Sequence, residues 1–281
     1  MNLLRGKMPV DKVLKPIIKK KLYKMVWLFN KPLGLSSFSL VDIVKQLEGI
    51  QKAGHSGTLD PLATGDLIVA AGPFTKMLPR WLSADKRYTV KILFGASTQS
   101  GDLETPFENI GSLEHSTDFE ARLVQALGFL KKKKSILIGE HSALKSKGKA
   151  FYKQRGKGKS RLKPNIIKEF RVVGAKALNS AGLKQLLENY QKELTGVYVW
   201  YKNLPIKPRP QQLELFQKLV GKLHVNQELI RDGLSLITAT VEFTVGKGTY
   251  IRYIVKELSA IMDTPATCLS IHREYLFDTK E

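Results

Sequence analysis

The chain has 281 residues, 43% of them hydrophobic, and carries 46 Lys and Arg against 25 Asp and Glu, a formal net charge of +21. That length and apolar content suit a globular protein of one large or two small domains, and the charge points to a polyanionic partner, nucleic acid first. The single cysteine, Cys268, excludes an internal disulfide and any zinc site built on two thiolates, while the lack of an apolar run near 18 residues or of a signal-peptide core excludes a membrane span and export, so a cytoplasmic setting is expected.

Taken in order, residues 1–24 hold eight Lys and Arg, with Pro9 and Pro16 interrupting any long helix, and read as a basic arm: a disordered tail or an over-extended start, with RNA contact as the alternative. Met25 to Phe29 reads as a buried strand, and Phe38, Val41, Val44 and Leu47 space out a helix. A second strand runs from Asp66 to Ala71, followed by a helix from Phe74 to Leu82. Arg87 to Phe94 alternates as a sheet strand that turns Tyr88 inward, and a helix is expected over Asp118 to Leu130.

From Lys131 to Lys163 the chain becomes a basic strip in which Lys145 and Arg155 flank Phe151 and Tyr152. Such a strip can track a phosphate backbone while its aromatic rings lie on bases. Helical patterns at Leu183–Leu194 and Gln212–Leu219, joined through Pro205, Pro208 and Pro210, mark an inserted helical segment over about 175–235. Ile237 to Val245 alternates as a strand, and Gly246-Lys247-Gly248 turns it into a helix starting near Thr249. Strands and helices mix without regular alternation, so the fold class is α+β, a mixed and largely antiparallel sheet flanked by helices.

The densest cluster of unusual residues is the loop Gly54-His55-Ser56-Gly57-Thr58-Leu59-Asp60-Pro61-Leu62-Ala63-Thr64-Gly65. Its glycines let the backbone approach a ligand, and Pro61 stiffens the residue after a carboxylate that can act as nucleophile or general base. An ordinary turn would use the same residue types. A phosphate-cradling loop at Gly158-Lys159-Ser160 fails because position 153 is Lys, Cys268 has the surroundings of a core residue, and the five histidines show no metal-ligand spacing.

These motifs together resemble the TruB family of pseudouridine synthases from about Met25 to Tyr275, the insert apart. Lys31-Pro32-Leu33-Gly34-Leu35-Ser36-Ser37 resembles the family's opening motif, Gly54 to Gly65 its catalytic motif, Lys86-Arg87-Tyr88 its tyrosine motif, Gly95 to Asp102 the Thr-rich stretch after it, Ser142 to Lys145 with Gly148 and Tyr152 its RNA-gripping insertion, and Gly248 to Arg252 its C-terminal motif. The resemblance implies the pseudouridine synthase catalytic fold over 25–281, without the C-terminal RNA-binding domain that many relatives carry. It further implies Asp60 as the attacking carboxylate, Tyr88 on the base and assisting proton removal, and Arg252 paired with Asp60. Tyr250 and Ile271 would contact the base, His55 would fill the stack vacated by the flipped nucleotide, and Lys31, Lys145, Tyr152 and Arg155 would contact RNA. Departures fall at the RNA-facing motifs: Ser36 replaces threonine, His141 replaces tyrosine, and Ile271-His272-Arg273 stands for Leu-Arg-Arg.

The implied reaction is isomerisation of uridine to pseudouridine at position 55 in the T-loop of tRNA, by a monomer that needs no cofactor, metal or guide RNA. Asp102, in a second glycine-containing segment, is the runner-up carboxylate. The competing reading is a non-catalytic RNA-binding protein or tRNA-folding chaperone.

Overall fold

The computed structural model describes residues 9–113, 117–138, 145–146, 149–150 and 161–276. In chain order these form α1 (Val10–Val13), β1 (Ile18–Tyr23), β2 (Val26–Lys31), α2 (Ser37–Glu48), β3 (Ala53–His55), β4 (Ala63–Ala71), α3 (Leu78–Ser83) and β5 (Lys86–Phe94). There follow β6 (Ala96–Thr98), β7 (Phe107–Ile110), α4 (Phe119–Lys132), β8 (Ser135–Ile138), β9 (Lys145–Ser146), β10 (Lys149–Ala150), β11 (Arg161–Pro164) and β12 (Ile167–Asn179). The last elements are α5 (Ser180–Lys202), α6 (Pro210–Leu229), β13 (Ser235–Val245), α7 (Ile251–Ile261) and β14 (Ala266–Tyr275). The pairings β1–β2, β2–β4, β3–β4, β5–β13 and β12–β13 are all antiparallel, so the architecture is the expected α+β. No helix among the described residues is long and apolar enough to cross a membrane. Two compact units divide the chain, one of Met1–Ala84, Asn189–Gly221 and His272–Tyr275, the other of Asp85–Glu188, Lys222–Ile271 and Leu276–Glu281.

In the first unit, β2 and β4 lie side by side with Val26 opposite Ala70 and Lys31 opposite Gly65. Both are buried on both faces except at the ends, which is why they read as continuous apolar runs. Helix α2 begins where the Ser36 hydroxyl accepts the Ser39 N–H, buries Leu40, Val41, Ile43, Val44 and Leu47, and stops at Gly49, whose left-handed φ of 64° ends it.

The expectation of a disordered arm is overturned for residues 9–24. Val10 and Leu14 are fully buried, and β1 pairs along β2 from Ile18 opposite Phe29 to Tyr23 opposite Val26. The lysines that hid this strand sit on a sheet edge, where charge is tolerated and discourages further pairing. Two of them are used: Lys19 reaches the buried Asp66 at 2.6 Å and Lys21 reaches Asp11. Residues 1–8 lie outside the described residues.

The second unit is built on β5, β13 and β12. Alternation along β13 puts Ile237, Ala239, Val241, Phe243 and Val245 inside, and Phe243 stands opposite Tyr88 of β5. Strand β12 runs on to Asn179, opposite Ser235, so the helical segment starts at Ser180 and not at 175; Ala175 to Asn179 were masked as sheet residues by their mixed polarity. Of the basic strip, β8 and β11 form an antiparallel pair, and Lys145 is described only by its place in β9 opposite Ala150. Tyr152 and Arg155 lie outside the described residues.

Candidate functional site

In the first unit Asp60 is half-buried, and the residues on either side of it are held by their backbones. On one side, the Leu59 N–H donates to the Ser37 hydroxyl oxygen at 2.8 Å while the Leu59 carbonyl accepts from that hydroxyl at 3.0 Å. On the other, the Pro61 carbonyl accepts from the Gly34 N–H at 2.8 Å and from the Lys31 ammonium at 3.2 Å. Asp60 itself contributes a carbonyl that accepts the Ala63 N–H at 3.1 Å. Residue 60 is thus a side chain on a fixed mount, and fixing the backbone before binding removes an ordering cost that a flexible loop would carry.

Lys31 is corrected by the same geometry. It is 0% exposed, and its ammonium donates to the carbonyls of Pro32, Leu35 and Pro61, so it is a buried scaffold for the loop and not an RNA contact. A buried charge is tolerable only when it is hydrogen-bonded in this way.

The upstream half of the loop is stapled by residues 273 and 275. The buried Arg273 guanidinium donates to the carbonyls of Asp66 at 2.9 Å and Gly57 at 3.1 Å. The Tyr275 hydroxyl donates at 2.6–2.7 Å to Ser56, whose own hydroxyl accepts the Ile68 N–H. Gly65 is required here: its φ is 102°, and a Cβ would stand 2.2 Å from the Arg273 carbonyl oxygen. His55 opens the loop, and its Nδ1 accepts the Gly57 N–H at 3.2 Å, which places the proton of the neutral ring on Nε2. Burial, reinforced by the Arg273 charge, lowers its pKa to about 4, so the ring is neutral at physiological pH.

In the second unit Tyr88 is buried on β5, and Ile271 is buried in the part of β14 that belongs there. Tyr250 precedes α7, half-buried, with its ring edge-on to Tyr253 at 6.3 Å between centroids. Arg252, in the first turn of α7, is buried; it donates from Nη1 to the Ser100 carbonyl at 2.7 Å and lies 3.5 Å through Nε from the Asp102 carboxylate. Asp102 also accepts the Glu104 N–H at 3.0 Å. The runner-up carboxylate is therefore a buried group that holds Arg252. Gly101, at φ 78°, lets the turn lie against α7, where a Cβ would come 3.1 Å from Lys256 and 3.4 Å from Arg252.

The first unit brings His55, Asp60 and Lys31 into one hydrogen-bonded loop, and the second brings Tyr250 and Arg252 onto the start of one helix. Sequence reasoning missed Ser37, Arg273 and Tyr275 as supports. The signal available was the strand continuing through Ile271-His272-Arg273-Glu274-Tyr275, whose alternation sends Ile271, Arg273 and Tyr275 inward. An arginine on an inward position has to find acceptors, and glycine-rich loops expose carbonyls.

Residues 45–184 match the family model for the N-terminal domain of TruB family pseudouridylate synthases, a stretch that includes His55, Asp60 and Tyr88. Among relatives, the tRNA pseudouridine synthase B of Sodalis glossinidius is 42% identical over 131 residues, 47% of this chain and 41% of that one. That of Desulfotalea psychrophila is 37% identical over 137 residues, 47% and 54% of the two chains. That of Shewanella baltica is 34% identical over 157 residues, 56% and 46% of the two. Over this stretch the chain is similar to the TruB family, and it spans about half the length of the relatives it matches. The crystal structure of a Cbf5-Nop10-Gar1 complex aligns over 97% of this chain and 54% of that one at 18% identity and a TM-score of 0.43, a likeness that decides nothing further.

Proposed function

We propose that this chain isomerises uridine to pseudouridine in the T-loop of tRNA, at position 55, with Asp60 as its catalytic carboxylate. What supports the reading is the mounting of residue 60: an acid flanked on both sides by pinned backbone, inside the stretch that matches the family. The reaction breaks the bond between ribose C1′ and uracil N1, turns the detached base, and joins C1′ to C5, from which a proton leaves while N1 takes one up. Nothing is oxidised or reduced and no group is donated, so a carboxylate, an aromatic platform and a proton acceptor suffice. Asp60 attacks or deprotonates, Tyr88 lies on the base and assists removal of the C5 proton, and Arg252 pairs with Asp60. His55, neutral and flat, takes the stacking position of the extruded nucleotide, with Tyr250 and Ile271 against the base. Lys145, Tyr152 and Arg155 grip the RNA as the resemblance implies, and the enzyme acts as a cytoplasmic monomer without guide RNA.

The test is to incubate the purified chain, with no cofactor added, with a T-stem-loop RNA and to map pseudouridine after digestion. Pseudouridine confined to the T-loop uridine supports the proposal. RNA bound but never isomerised would overturn it in favour of a binding protein.

A further inference from the structure

We propose that the α5–α6 helical segment positions the Asp60 loop, and that Gln212 at the start of α6 is its positioning residue. Gln212 is only 3% exposed, and its whole amide is spent on one short stretch of chain. Its Nε2 donates to the Gly34 carbonyl at 2.9 Å, while its Oε1 accepts the Ser36 N–H at 3.1 Å and the Ser39 hydroxyl at 2.6 Å. Packing acts on the same stretch. Gly34 is in the left-handed region at φ 78°, and a Cβ there would stand 2.2 Å from Leu194 of α5 and 2.5 Å from Phe216 of α6. Both helices therefore lie directly on the Gly34 backbone.

The stretch that Gln212 holds is the one that holds residue 60. Gly34 donates its N–H to the Pro61 carbonyl, and Ser37, between Ser36 and Ser39, exchanges two hydrogen bonds with Leu59. Two bonded steps therefore run from Gln212 to each neighbour of Asp60, one through Gly34 to Pro61 and one through the Ser36–Ser39 turn to Leu59. A second clasp lies further along α2, where Gln46 and Lys207 exchange two hydrogen bonds and Arg209 pairs with Asp42 at 2.5 Å. The insert thus buttresses a loop that Arg273 and Tyr275 also hold through separate bonds. The catalytic consequence rests on the reading of Asp60 above.

Gln212→Met keeps the side-chain volume and removes all three bonds. In the full chain, single-turnover isomerisation of a T-stem-loop RNA at saturating enzyme should fall at least roughly tenfold, the scale on which small misplacements act. RNA affinity should stay within about twofold, because no RNA contact is removed. Amide hydrogen exchange supplies a readout independent of activity: the Gly34 and Leu59 N–H groups should exchange faster than in the unsubstituted chain. Ser39→Ala, which removes one bond of the three, should give a smaller effect of the same kind and serves if Gln212→Met does not fold. Leu123→Ala, a core truncation in α4, should lower thermal stability while leaving the single-turnover rate of the folded protein unchanged. Unchanged Gly34 and Leu59 exchange together with an unchanged rate in Gln212→Met would overturn the inference while leaving the role of Asp60 intact. Isomerisation that survives Asp60→Asn would instead refute the reading of the site, and faster exchange would then retain only the mechanical part.

Discussion

A lysine whose ammonium serves three carbonyls has no donor left for a phosphate, and Lys31 can be tested on that difference. Lys31→Met removes the donor shared by the Pro32, Leu35 and Pro61 carbonyls, of which Pro61 keeps the Gly34 N–H, and should cost about 2–3 kcal/mol of stability in denaturant titration. RNA affinity should keep its salt dependence; a slope of log K against log salt shallower by about one unit would instead restore Lys31 as a phosphate contact. His55 gives a pH prediction with a definite sign. Its pKa falls from 6.5 in the unfolded chain to about 4 when folded, so between those values the unfolded state binds more proton and stability drops as pH falls. The contribution approaches about 3 kcal/mol below pH 4, and His55→Gln should flatten that part of the stability–pH curve. An unchanged curve would mean that His55 binds its proton equally well in the folded and unfolded chain. At this scale Asp60 was legible because glycines and a proline crowd around it. Arg273 was not, because its acceptors at Gly57 and Asp66 are more than 200 positions away, and Lys31 misled because charge alone does not tell a scaffold from a surface.

Elements declare themselves in sequence when one face is buried and the other is wet. Strand β13 did so through Ile237, Ala239, Val241, Phe243 and Val245, and α2 through the spacing of Val41, Val44 and Leu47, although Phe38 of the same pattern is exposed. Strand β1 did not, since an edge strand carrying Lys19, Lys20 and Lys21 looks like a tail until its partner is known. The turn that carries Ser100, Gly101 and Asp102 is another long-range device: it fastens the start of α7 through Arg252, and Cys268 of β14 donates its N–H to the Gly101 carbonyl. Asp102→Asn keeps the shape but removes the charge beside a buried guanidinium, and should cost about 3 kcal/mol. It should still form pseudouridine, measured in a single-turnover assay, because Asp102 acts through Arg252 and not on the base. Complete loss of isomerisation in a folded Asp102→Asn protein would promote Asp102 to the catalytic carboxylate.

For the whole molecule the dominant quantity is the charge of +21, which favours any polyanion and selects none. RNA binding should weaken steeply with salt, and selectivity has to come from the site. Charge and chemistry are therefore separable, which makes a single side-chain change decisive. Asp60→Asn preserves size and hydrogen-bonding capacity in a loop whose backbone is pinned at Leu59 and Pro61, and should leave fold and RNA affinity as they are. The most direct measurement is pseudouridine formed in a T-stem-loop RNA during one turnover by this variant beside the unsubstituted chain, with RNA binding measured on the same samples. The account predicts full binding and no pseudouridine from Asp60→Asn; isomerisation at the unsubstituted rate would contradict it.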